Sequence, residues 1–156
     1  MLAAIFFMAQ LHGQSKKDIR NAKVSAETTT TTIIEGGKEI TYKDSYTLYD
    51  KNGNVSEQTE YSKDGSVKHK ESMKYNADND KIEEKVFDAK DKSTKKTTFT
   101  YDANSNKIAE NEYDENGKLV KQITYAYNNK GLKTEKKVFD GKKKLISTKK
   151  YTYTSR

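Results

Sequence analysis

The chain contains no cysteine, no proline and no tryptophan, its only arginines are Arg20 and Arg156, and beyond its first residues it has no long apolar run. Each absence removes a class of function. Without cysteine there is no disulfide framework, no thiol nucleophile, no thiolate ligand for a metal and no acceptor for a lipid anchor. Scarce arginine argues against nucleic acid as a partner, because base readout and phosphate clamping lean on the planar guanidinium fork. The formal charge of +7 arises from 30 Lys+Arg against 23 Asp+Glu, with the lysines scattered among glutamates along the whole chain. Lysine dispersed in this way is expected to guard open strand edges against pairing with other chains. With 32% hydrophobic and 34% charged residues, a thick core is excluded, and the length suits one domain or one short repeat array. Disorder is excluded too, since disordered segments are rich in proline and poor in aromatics, whereas aromatic residues here are plentiful and regularly placed.

The one uniformly apolar stretch is at the start. Met1 to Leu11 is almost wholly apolar and is followed by Gly13 and then by polar residues from Ser15. This resembles a secretory signal peptide, and is too short for a transmembrane helix, which needs about 20 apolar residues. Cleavage after Gly13 would free Gln14. The expected organisation is a signal peptide over 1–13, a mobile leader over 14–22 and a β-hairpin repeat domain over 23–156. The mature protein is expected to be exported, to the periplasm, the cell surface or the medium.

What the chain does contain is a repeat. Tyr49, Tyr75, Tyr101, Tyr127 and Tyr153 recur at one unvarying interval of about 26 residues, and a second series, Tyr61, Phe87, Tyr113 and Phe139, keeps the same interval at a fixed offset from the first. Turn chemistry stands directly after each aromatic, as in Tyr49-Asp50-Lys51-Asn52-Gly53, Tyr61-Ser62-Lys63-Asp64-Gly65 and Tyr113-Asp114-Glu115-Asn116-Gly117. Asp bonds its own backbone two residues on, while Asn and Gly accept the positive φ of a tight reversal. Between the turns, short segments alternate with the strand period of two, as in Ile123, Tyr125 and Tyr127. Two turns in every repeat leave no room for a helix. The pattern predicts an all-β fold, an antiparallel β-meander of about ten strands built from tandem hairpin repeats, in an open or rolled sheet. Its strands are expected near 23–34, 38–49, 54–61, 66–75, 80–87, 93–101, 106–113, 118–127, 132–139 and 144–154.

The recurring Tyr-Asp-x-Asn-Gly unit, with an aliphatic residue and a glutamate soon after it (Val55 and Glu57, Ile82 and Glu84, Ile108 and Glu110), resembles the YD repeat of the RHS and teneurin families. The resemblance runs from about Lys38 to Tyr153. It implies a continuous antiparallel sheet of stacked hairpins, and it is shared with short exported repeat proteins of unknown role.

Little in the sequence suggests catalysis. His69 stands beside Lys68 and Lys70 with no cysteine to join it and is expected at the surface; Glu57, Glu84 and Glu110 recur because the strand recurs. No cofactor and no metal site is expected. The candidate binding face is aromatic: Tyr75, Tyr101, Tyr125, Tyr127, Tyr151 and Tyr153, with Phe99, which could offer a platform to a sugar or a protein or could stabilise the sheet by cross-strand stacking. The expected function is therefore a non-enzymatic repeat module of the cell envelope binding a protein or glycan. An antitoxin or immunity-type binder of a secreted effector is the alternative.

Overall fold

The computed structural model describes residues 15–154, so the expected signal peptide lies outside the described residues. The structure is a single ten-stranded sheet: β1 (Ala26–Glu35), β2 (Lys38–Tyr49), β3 (Val55–Tyr61), β4 (Val67–Tyr75), β5 (Lys81–Asp88), β6 (Ser93–Tyr101), β7 (Lys107–Tyr113), β8 (Leu119–Tyr127), β9 (Lys133–Asp140) and β10 (Leu145–Lys150). Strand order in space is strand order in sequence, and every pairing is antiparallel. Among the described residues the sheet is open, since β1 and β10 each have a strand on one side only. Nine inter-strand spacings of about 4.8 Å make it about 43 Å wide.

Local chemistry explains the turns. At Asp50 the carboxylate Oδ1 accepts the backbone N–H groups of Asn52 and Asn54, each at 2.8 Å, while the Gly53 N–H donates to the Asp50 carbonyl at 3.0 Å. Asp102, Asp114, Asn128 and Asp140 repeat the arrangement. The fourth turn residue is held at positive φ, 78° at Gly53 and 77° at Gly117, and the same conformation is forced on Asn79 (66°), Ser105 (58°) and Lys143 (64°). A β-bulge follows, marked by register shifts beside Tyr49, Tyr61, Tyr75, Tyr101, Tyr113 and Tyr127. Bulges sharpen the local twist and leave one residue of the ladder unpaired.

No second layer covers this sheet among the described residues. Ile19 (3% exposed) and Ile123 (5%) are the apolar side chains withdrawn from water, and Thr47, Asn54 and Thr59 are the buried polar ones. Cohesion instead comes from the backbone ladders and from cross-strand side-chain pairs, each worth about 0.2–1 kcal/mol. Lys70 to Glu57 at 2.9 Å, Lys74 to Glu83 at 3.0 Å and Lys121 to Glu112 at 2.7 Å are of this kind. Among the described residues eight lysines pair with glutamates, and of the two edge strands β10 carries Lys149 and Lys150. β1, a true edge, has none.

Within the stretch 14–22, expected as a mobile leader, the described residues include a helical turn. Lys16–Asn21 is a short helix, α1, started by a capping box in which the Ser15 hydroxyl accepts the Asp18 N–H and the Asp18 carboxylate accepts the Ser15 N–H. It rests on the turn after β2: a Cβ on Gly53 would lie 2.5 Å from the Lys16 carbonyl oxygen and 3.1 Å from the Arg20 nitrogen. Ile19 is the buried residue of this helix, 3% exposed.

Candidate functional site

Residues directly opposite one another in an antiparallel pair share a face. Following the register, Met73 opposes Glu84, Glu84 opposes Thr97, Phe99 opposes Glu110, Glu110 opposes Ile123, and Tyr125 opposes Lys136. With the period of two along each strand, Tyr75, Tyr101, Tyr125 and Tyr127 come to one face. The second aromatic series falls on the other, where Phe87 opposes Lys70 and Tyr113 opposes Lys96. Successive turns also lie at opposite ends of the strands, so the two series line opposite ends as well as opposite faces.

On the first face the tyrosines do two different things. The Tyr75, Tyr101, Tyr127 and Tyr153 hydroxyls donate to the carbonyls of Val55, Lys81, Lys107 and Lys133 at 3.0, 2.8, 2.8 and 2.7 Å. Each acceptor is the residue that opens the neighbouring strand, next to a bulge, where the sheet's own ladder is disrupted. The ring thus acts as a strut. This explains a sequence feature: the first series is tyrosine in every copy because the hydroxyl is used, while the second admits Phe87 and Phe139. Tyr49, with no earlier repeat to reach, donates to Glu27 at 3.0 Å.

Tyr125 differs. Its hydroxyl donates to a side chain, Glu110 Oε1, at 2.8 Å, and the same carboxylate is held by Lys107 Nζ at 2.6 Å. Burial pushes the Tyr125 phenol up, and its hydrogen bond to Glu110 pushes it further. Burial also acts to raise Glu110, but the hydrogen bonds from Lys107 and Tyr125 outweigh it and hold the carboxyl below its usual range. Both groups are thereby fixed in their ordinary states at neutral pH, phenol and carboxylate.

The rings are not bare platforms. Lys81 and Lys107 lie 5.3 and 5.1 Å from the centre of Phe99, and Lys107 and Lys133 lie 5.8 and 4.4 Å from that of Tyr125, within the range of cation–π attraction. Cation and ring therefore alternate across the face as Lys81, Phe99, Lys107, Tyr125, Lys133. Like positions recur every second strand, at about 9.6 Å. The lysines of this ladder were legible in the sequence, since Lys81, Lys107 and Lys133 share the period of the tyrosines, but they carry no aromatic signature to draw attention. Tyr151 continues the pattern just past β10, its backbone N–H donating to Thr134 at 3.0 Å.

Shallow grooves open between neighbouring turns at the strut end. One, of about 510 Å³, is lined by Asp102, Asn106, Ile108, Tyr125, Tyr127 and Asn128; another, of about 710 Å³, by Asp50, Asn52, Met73, Tyr75, Asn76 and Asn79. Their carboxylates are committed to the turns: Asp102 accepts the Asn104 and Asn106 N–H groups, each at 2.9 Å, and the Asn106 side chain at 3.0 Å. Among the described residues no group of three or more His, Cys, Asp or Glu side chains is placed to hold a metal ion. His69, expected at the surface, stands on the ladder face, one-fifth exposed and bonded to Glu71 at 2.8 Å. No helix among the described residues is long and apolar enough to cross a membrane.

No family model matches the chain, and no curated protein matches it. Among solved structures, a crystal structure of TarM is similar over 75% of this chain and 20% of that one, at 22% identity and a TM-score of 0.34. The chain thus spans about a fifth of TarM's length, and a likeness at that TM-score carries no structural or functional argument.

Proposed function

We propose that this protein is an exported, non-enzymatic interaction module whose ladder face binds an extended partner, a protein or a glycan. The carrying observation is the alternation of cation and ring along Lys81, Phe99, Lys107, Tyr125 and Lys133. Such a row offers stacking surfaces and hydrogen-bond donors at a fixed pitch, which suits a partner with its own linear repeat better than a compact small molecule. The apolar N-terminal run supports export, and the hairpin array is of the kind the YD resemblance implies.

The test is binding of the purified chain to a glycan array and to native envelope extract, comparing wild type with Lys107→Gln and Lys133→Gln. These lysines flank the rings without contributing their side chains to any strut. The expected result is retention by wild type and at least tenfold weaker retention by the variants, with unchanged circular dichroism. Equal retention by all three refutes the ladder as the binding surface.

A further inference from the structure

Repeat arrays ordinarily end in atypical units whose outer side is blocked, and open edges are ordinarily guarded by lysine, proline or short strands. β1 has none of these devices. It is ten residues long, Ala-Glu-Thr-Thr-Thr-Thr-Thr-Ile-Ile-Glu, with an uncharged β-branched run from Thr28 to Ile34, and no element among the described residues is paired to its outer side. Its distal half stands further exposed. β3 pairs with β2 only over Ser45 to Tyr49, so Thr30 to Glu35 and Lys38 to Lys43 project as a two-stranded arm carrying Ile34, 77% exposed.

We infer that β1 is an assembly edge whose occupant is the β10 edge of a second copy of this chain, so that sheets join head to tail. Three observations select that occupant. The first is charge: β1 carries Glu27 and Glu35 and no base, while β10 carries Lys149 and Lys150 and no acid. Pairing of β1 with another β1, centred on Thr31, would set Glu27 against Glu35 and repel. The second is direction. Ten strands alternating through nine antiparallel pairings leave β10 antiparallel to β1, so a copy shifted by one sheet width continues the alternation without inversion. The third is the period itself, since the strand after β10 is where another unit of the array would stand, and Tyr151 and Tyr153 already extend beyond β10 on backbone and hydroxyl bonds to β9. Such a contact is heterologous and does not close on itself, so it grows as an open series.

Sedimentation velocity on the full mature chain, from micromolar to near-millimolar concentration, tests this. Wild type is expected to show a concentration-dependent series of species above monomer. Thr28→Lys with Thr30→Lys, both at exposed β1 positions, is expected to abolish the series by opposing like charges across the junction. Lys149→Glu with Lys150→Glu is expected to abolish it from the other side. Combining all four substitutions in one chain restores it, because the swapped edges attract again. Should the double β1 variant lose its β spectrum, Thr30→Lys alone replaces it. A wild type that stays monomeric throughout overturns the inference, as does a β10 variant that associates like wild type, the result expected of β1 pairing with itself. Failure of the four-fold variant to re-associate overturns it too.

Discussion

Replacing Tyr101 with phenylalanine removes one oxygen and leaves the ring, and it isolates the strut from the stacking. The Tyr101 hydroxyl donates to the Lys81 carbonyl at 2.8 Å in a half-buried position, and that carbonyl lies beside a bulge. A hydrogen bond of this kind contributes about 1 kcal/mol net, the larger part being the cost of leaving its partner unpaired. For a domain of this size, about 1 kcal/mol corresponds to a fall of about 3–4 °C in Tm. The struts of Tyr75, Tyr101 and Tyr127 stand about 9.6 Å apart and share no partner, so the triple Tyr→Phe variant should lose about 3 kcal/mol by simple addition. Tyr113→Phe is the control, because no hydrogen bond is formed by its hydroxyl among the described residues and it packs instead beneath Lys96, 4.8 Å from the ring centre; its effect should stay within about 0.5 kcal/mol. Urea and thermal unfolding followed by circular dichroism measure all three. If Tyr101→Phe and Tyr113→Phe prove equally mild, the strut is not what fixes tyrosine in the first series.

Lys143→Gly should stabilise the fold by about 0.5–1 kcal/mol by relieving a left-handed residue, whereas Gly117→Ala, at φ 77°, should destabilise by about 1 kcal/mol; chemical denaturation decides both. Gly53→Ala should dislodge α1, because its Cβ meets the Lys16 carbonyl, and faster tryptic cleavage at Arg20 with the β spectrum retained is the expected signature. In acid, Asp50, Asp102 and Glu110 matter. Burial acts to raise Asp50 but the hydrogen bonds of Asn54 and Asn52 outweigh it, Asp102 is lowered by its bonds from Asn106, and Glu110 by those of Lys107 and Tyr125 against burial. Their folded carboxyls release protons more readily than unfolded ones, which titrate near pH 4, so this stabilisation is present above about pH 5 and is lost as pH falls below about 4; the urea midpoint at successive pH values measures it. In alkali the sign is opposite: Tyr49 is pushed up to about 12, by burial first and then by Glu27. Unfolded tyrosine ionises near 10, so stability should fall as pH rises from about 10 to 12, with phenolate absorbance in the native protein lagging behind that in urea.

The sequence by itself determined the number of strands, their bounds to within a few residues and the meander order. Those features rest on local chemistry: an Asp or Asn that bonds its own backbone, a residue able to take positive φ, and alternation between them. β2 and β6 begin and end where that pattern places them. It missed α1 because so short a helix gives no periodicity, although Ser15 and Asp18 spell a capping box. Only the tertiary structure decided what each aromatic does, since a strut to a carbonyl on the neighbouring strand, a ring flanked by lysines from the strands beside it, and the division of two aromatic series between opposite faces all depend on register. Register in turn depends on bulges, which shift one strand against the next by a single position. That step is invisible in composition, yet it determines which side chains meet.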